Sequence, residues 1–310
     1  MGQVIVVGSV NADYSVRLPA LPQPGETVTG GRLQILPGGK GANQAHAAAR
    51  LGAVVVLVAA VGTDAAGDGA RADLAADGID ISCLVRCEGP SGVAVILVDA
   101  AGENMIAVAP GANDRLTAAA VTGLLAGRVD AGSVLLASLE VPLEAVDAAA
   151  AAAEAAGATL VINPAPGRLL PPGLPRGTIL TPNEGELLKL APASAAGDLP
   201  GEQAAVAFLM ESGARAVIVT RGSRGATLLR PGREPADFPA PSVEVVDTVG
   251  AGDAFNGALV TGLAAALPLD LAVAAAVEAG AAACTGPGAR QALPRAGDIA
   301  LLVSKRATGG

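Results

Sequence analysis

The sequence predicts an α/β protein with a mainly parallel central sheet flanked by helices and a small antiparallel β lid. Three observations carry that prediction. Runs such as Val4 to Val7, Val54 to Val61 and Ala216 to Thr220 are almost wholly apolar and β-branched, as strands covered on both faces are. From Thr117 onward such runs alternate with Ala- and Leu-rich stretches of helical length, which is the rhythm of repeated β-α units. The segments at about 10–18, 27–36 and 92–109 break that rhythm, because they have no helices of their own.

The elements follow in order. Val4 to Val7, ending at Gly8, is the first buried strand. After Asn11 and Asp13 the residues Tyr14, Val16 and Leu18 alternate with polar ones, a half-exposed strand that Pro19, Pro22 and Pro24 bring to an end. Thr27 to Leu36 reads as a further short strand, Gly38 to Leu51 as a helix opened by glycines, Val54 to Val61 as a strand and Gly67 to Asp77 as a helix. Gly92 to Val98 and Asn104 to Ala109 form a hairpin around Gly102. Then come a helix from Thr117, strand Val134 to Leu139, helix Pro142 to Ala156, strand Thr159 to Asn163 and strand Thr178 to Thr181. A helix from Glu184, one near Gln203 to Ser212 and strand Ala216 to Thr220 complete the series. A short β-type run, Val243 to Val246, precedes a long Ala/Leu-rich helix. No linker separates a second unit, so residues 1–310 read as a single domain with its lid. No internal repeat is present, and Ala148 to Ala153 is plain helix.

Composition narrows the function. With 51% hydrophobic residues a sizeable core is assured, yet aromatics are only 1%, so stacking platforms for single-stranded nucleic acid are missing. Net charge is −9 with no basic cluster, which argues against nucleic acid and anionic membranes as partners. No stretch reaches the length needed to span a bilayer, and the N-terminus runs straight into a strand with no basic leader. Cys83, Cys87 and Cys284 are too few and too uneven for a disulfide framework, and they point to the cytoplasm. Cys83 and Cys87 lack a second Cys/His pair for zinc.

The most informative segment is Asp247-Thr-Val-Gly-Ala-Gly-Asp253-Ala-Phe-Asn-Gly257. Gly250, Ala251 and Gly252 fall where a loop becomes a helix N-terminus, whose first N–H groups have no partner inside the helix and bind anions. An aspartate at the edge of an anion site suits one chemical role, in which Asp253 accepts a proton from a hydroxyl while the N–H groups hold a migrating phosphoryl group. Alone, the same residues also read as an ordinary helix cap. Four further segments accompany it. Asn11 and Asp13 after the first strand suit a polyol or an Asx-closed turn; the glycine fingerprint of a dinucleotide fold is absent there. Gly38-Gly39-Lys40-Gly-Ala-Asn43 fails the P-loop pattern and suits either sugar hydroxyls or a plain helix start. Glu140 ends a strand. Asn183 and Glu186, three apart on a new helix, suit either a hydrated Mg²⁺ or a capping pattern.

In this order the segments resemble the ribokinase-like carbohydrate kinase family along nearly the whole chain. Gly8 to Asp13, Pro24 to Val28, Gly38 to Ala45, Asn163-Pro-Ala-Pro166, Thr181 to Glu184, Gly222 to Gly225 and Asp247 to Gly257 carry the likeness. The resemblance implies ATP-dependent phosphorylation of D-ribose at its 5-hydroxyl, with Mg²⁺ and an activating K⁺. It makes Asp253 the base and Gly250 to Asp253 the anion hole. Asn11, Asp13, Gly39, Lys40, Asn43 and Glu140 would hold the sugar. Asn183 and Glu186 would support Mg²⁺ and the phosphates. Thr220, Gly222, Ser223 and Gly225 would contact the nucleotide. Asp247 with the carbonyls of Val249, Ala283, Gly286 and Gly288 would hold K⁺. Pro287 departs from the family pattern in that loop, and Gly280 to Ala283 offers adenine no polar contact. Alternatives are another acceptor (deoxyribose, fructose or adenosine) and a non-catalytic sugar-binding protein, which intact Gly250 to Asp253 disfavours. The lid strands imply a homodimer in which open edges pair.

Overall fold

The structure, a computed structural model, describes residues 2–170, 173, 177–192 and 201–300. Its main sheet has nine strands in the order β13-β12-β11-β10-β9-β8-β1-β4-β5. The parallel part comprises β1 (Gln3–Val7), β4 (Val54–Gly62), β5 (Leu84–Cys87), β8 (Val134–Ser138), β9 (Thr159–Asn163), β10 (Thr178–Leu180) and β11 (Ala214–Thr220). Two short antiparallel strands, β12 (Ala226–Leu229) and β13 (Ala236–Phe238), finish one edge.

Both faces of the sheet are covered, which explains why its strands read as unbroken apolar runs. Val4 and Val6 point to the layer of α1 (Lys40–Arg50), α7 (Ala251–Ala264) and α8 (Leu269–Ala283). Ile5 and Val7 point to the opposite layer of α3 (Ala118–Leu125), α4 (Leu143–Ala156), α5 (Glu184–Leu190) and α6 (Gly201–Glu211). All four are fully buried. Each such side chain contributes about 1.5–3 kcal/mol when removed from water. The remaining helix, α2 (Ala65–Ala76), is capped by Asp64, which accepts from the Gly67 N–H.

The small sheet stands apart, in the order β3-β2-β6-β7, from β2 (Asn11–Arg17), β3 (Arg32–Gly38), β6 (Gly92–Val98) and β7 (Asn104–Ala109). Each hairpin is antiparallel, and the two meet through β2 and β6, which run parallel. Register fixes its two faces. Rows Ile35–Tyr14–Val95–Ala107 and Leu33–Val16–Leu97–Met105 share one face. Asp13 lies on the other.

Sequence and structure differ in places. The strand expected at Thr27 to Leu36 begins only at Arg32 and runs on to Gly38; Gly30, in the left-handed region at φ 90°, sits in the loop that precedes it. Val243 to Val246, expected as a β-type run, joins no sheet and bends at Val246, whose N–H donates to the Cys284 carbonyl. Three strands, β5, β12 and β13, were not foreseen, being only three or four residues long and without a legible period.

Candidate functional site

The site forms at the carboxyl ends of the parallel strands, where open α/β sheets bind ligands. β1 leads to Ser9 and Asn11, β8 to Glu140, β10 to Asn183 and β11 to Thr220. Small residues then let distant segments touch. The Gly8–Asn11 turn lies against the start of α1: a Cβ on Gly39, which has φ 87°, would stand 2.7 Å from the Asn11 nitrogen. Helices α1 and α7 cross so closely that a Cβ on Gly257 would strike the Ala47 side chain. That crossing brings the first turns of both helices together.

At their meeting point lies Asp253, buried in the first turn of α7. Its Oδ2 accepts from the Asn43 amide at 3.1 Å and its Oδ1 from the Gln44 amide, also at 3.1 Å. Gln44 donates in addition to Asn163 Oδ1, and Asn163 donates to the Thr181 carbonyl. Each amide is thus held the right way round by a partner that can only accept. Burial pushes the Asp253 carboxyl above the ordinary range, while the nearby Lys40 ammonium and the two amides work the other way.

Around Asp253 stand Asp13, Lys40 and Glu140. Glu140 Oε2 accepts from the Ser9 hydroxyl and from the Lys40 backbone N–H. Arg168, donating to the Leu139 and Val141 carbonyls, holds the turn that presents it. Asp13 is pushed up to about 6, first by burial and then by the Glu140 charge. One of its oxygens is buried with no hydrogen-bond partner among the described residues. Burial works against the Lys40 charge, but Asp253, Glu140, Glu186 and Asp13 together hold its pKa above the usual value. Asn11 accepts from the buried Asn113 at 2.8 Å, and Asn113 also clasps both backbone groups of Val10.

The start of α7 faces a cleft of about 810 Å³. Gly252, Thr220, Gly222, Ser223 and Gly225 line it together with Asn183, and Val243, Val245, Phe255, Val277 and Ala281 form an apolar wall. Its size and mixed lining suit a drug-sized polar ligand with one flat apolar end. Gly250 caps α7 in the left-handed conformation, φ 84°. The N–H groups of Gly250, Gly252 and Asp253 have no partner among the described residues; that of Ala251 donates to the Thr248 carbonyl at 3.3 Å, so it stands partly outside the expected anion hole.

Asn183 and Glu186 form a reciprocal capping box on α5, each using one side-chain oxygen. The second Glu186 oxygen stays outside it. No cluster of three or more His, Cys, Asp or Glu exists among the described residues. A lone free carboxylate oxygen fits a Mg²⁺ that keeps its waters and is held mostly by phosphate. Asp247 bridges two loops, accepting from the Val249 N–H and the Gly288 N–H, each at 3.0 Å. The carbonyls of Val249, Gly286 and Gly288 accept no hydrogen bond among the described residues, a donor set suited to a monovalent cation. The two loops touch: a Cβ on Gly250 would lie 2.7 Å from the Ala289 carbonyl oxygen.

Sequence reasoning missed Gln44, Asn113, Asn163, Arg168 and Arg290 as parts of the site. Gln44 and Asn163 lie inside motifs that the sequence does single out. The other three are ordinary polar residues, Asn113 in the short 3-10 helix Gly111–Arg115 and Arg168 and Arg290 outside helices and strands, and only the fold brings them in.

The sequence pattern of the pfkB family carbohydrate kinases matches residues 1–296, and the chain belongs to that family. It is a sugar kinase. Among its curated relatives, the ribokinase of Haemophilus influenzae is 37% identical over 93% of this chain and 94% of its own length. The ribokinase of Bacillus subtilis is 34% identical over 98% and 100%. Among solved structures, ribokinase from Thermotoga maritima superposes with a TM-score of 0.87 at 31% identity, over 98% of this chain and 100% of its own. Arabidopsis thaliana ribokinase, complexed with ribose and ATP, superposes at 0.83 with 28% identity over 97% and 99%.

Proposed function

We propose that this kinase transfers the γ-phosphoryl group of ATP to the 5-hydroxyl of D-ribose. One observation carries the reading: a buried carboxylate, Asp253, sits between a cluster of sugar-type polar groups and a helix N-terminus with unpaired N–H groups that opens on a nucleotide-sized cleft. Relatives at 37% and 34% identity are ribokinases, and one structural neighbour holds ribose and ATP.

Asn11, Asp13, Gly39, Lys40, Asn43 and Glu140 bind and orient the sugar. Asp253 takes the proton of the 5-hydroxyl as its oxygen bonds to the γ-phosphorus. The bond to the β–γ bridging oxygen breaks, and ADP leaves with that electron pair. The N–H groups of Gly250, Gly252 and Asp253 steady the phosphoryl oxygens in flight. Thr220, Gly222, Ser223 and Gly225 hold the nucleotide, and the apolar wall takes its base. When bound, Mg²⁺ neutralises phosphate charge beside Asn183 and Glu186. Asp247 and the carbonyls of Val249, Ala283, Gly286 and Gly288 would hold a K⁺, which would supply positive charge beside the anion loop. We also propose that residues 1–310 act as one domain, that the enzyme works in the cytoplasm, and that the small sheet pairs with a second copy.

The test measures ADP release with D-ribose, 2-deoxyribose, fructose and adenosine. Ribose-dependent turnover is expected, and Asp253→Asn is expected to lower kcat by at least ~10³-fold with both KM values little changed. Turnover on another acceptor alone would reassign the substrate.

A further inference from the structure

The geometry points to Arg290 as a positioning residue for phosphoryl transfer: it fixes the polarity of the Asn43 amide so that Asn43 turns a donor toward Asp253. This builds on the reading of Asp253 as the base.

Arg290 is 5% exposed, and its guanidinium reaches four partners. Nε donates to Asn43 Oδ1 at 2.8 Å, and Nη2 to the Gly38 carbonyl at 3.1 Å. Nη1 donates to Asp73 Oδ2 at 2.6 Å and to His46 Nε2 at 3.0 Å. A guanidinium only donates. The Asn43 atom facing it is therefore the carbonyl oxygen, and the NH₂ group is left to face Asp253 Oδ2. Turning the amide over would set donor against donor at Arg290 and acceptor against acceptor at Asp253.

His46 strengthens the lock. Its Nε2 accepts from Arg290 while its Nδ1 bonds Asp77 at 2.5 Å, so the ring is neutral with the proton on Nδ1. Arg50 donates to the Arg290 and Leu293 carbonyls at 2.6 and 3.3 Å, which fastens the whole turn to α1. Burying a guanidinium is costly unless each donor is matched. Asp73 is half exposed and could pair with an arginine at the surface. Instead the head group lies beneath Gly38 to Asn43, with its inner donors committed to the sugar-side loop. Its neighbour Ala289 packs against Gly250, so one short turn touches both the sugar loop and the anion loop.

Arg290→Met and Arg290→Lys, with melting curves to confirm folding, test this through KM for D-ribose and for ATP varied separately. Both variants are expected to raise the ribose KM about tenfold and lower kcat about 10–100-fold, leaving the ATP KM within about twofold. Lysine keeps the charge but cannot make the fork of contacts, so near-wild-type kinetics in Arg290→Lys would overturn the proposal. So would unchanged KM values for both substrates in Arg290→Met, with kcat falling only by the unfolded fraction. If neither variant folds, Asp73→Asn decides, since that residue is half exposed: a ribose KM raised about two- to fivefold at constant ATP KM supports the lock, and a wild-type value overturns it. Wild-type protein inactive on every sugar would remove the kinase reading and this inference with it, whereas an active wild type with failed variant predictions removes only the inference.

Discussion

Two aspartates share the site and are tuned to different ends. Asp253 is wrapped by amides and Asp13 is not. Burial first, then the charge of Glu140, lifts Asp13 from 3.8 to about 6. Between those values the folded protein binds a proton that the unfolded chain has released. The group therefore stabilises the sugar-free protein at low pH, and that contribution is lost as pH rises through about 6. Sugar binding needs the opposite state, because only the ionised carboxylate is purely an acceptor. Two properties should move in opposite directions as pH falls from 7.5 to 5.5: affinity for ribose falls, read as a rising KM, while the Asp13 contribution to the melting temperature grows. In Asp13→Asn both trends should flatten. A ribose KM that stays level through pH 6 in the wild type would show that Asp13 does not carry the sugar as a carboxylate.

Between helices, alanine and glycine set the distances. Gly257 against Ala47 lets α7 approach α1, and this approach, not the motif residues alone, puts Asn43 and Gln44 on Asp253. The motif was legible in the sequence because its residues are contiguous and chemically unusual for their place. The partners Asn113, Arg168 and Arg290 were not, since nothing local distinguishes a structural polar residue from one that turns an amide. Val243 to Val246 shows a second limit: its β-branched residues do favour an extended chain, but Val243 and Val245 are used as a cleft wall and never join a ladder. The small sheet was legible from its lack of helices, while its register needed the structure. That register leaves Leu33 58%, Ile35 59% and Met105 51% exposed on one face. Ile35→Glu should therefore yield a monomer by light scattering where the wild type is a dimer, with its melting temperature nearly kept because the side chain is already exposed. A wild-type protein that is monomeric at micromolar concentration would remove the pairing.

Across the whole molecule, a chain of net charge −9 must bind a polyphosphate. On the proposed reading it would do so without a basic surface, from positive potential concentrated at one point by the α7 N-terminus and Lys40. The residues that build that point come from three remote stretches, 38–44, 247–253 and 284–293, and Asp247 is the brace between the last two. Asp247 accepts from the Val249 and Gly288 N–H groups, and nearby in sequence the carbonyls of Val249, Gly286 and Gly288 accept no hydrogen bond among the described residues. On the proposed reading a monovalent cation would bind these carbonyls beside Asp247 and order the anion loop. We therefore expect kcat to rise about tenfold in K⁺ relative to Na⁺ at equal ionic strength, with the ribose KM little affected. Asp247→Ala should bring the K⁺ rate down to the Na⁺ rate, because the brace and the charge vanish together. Equal rates in both salts for the wild type would mean that Asp247 holds the two loops by hydrogen bonds alone.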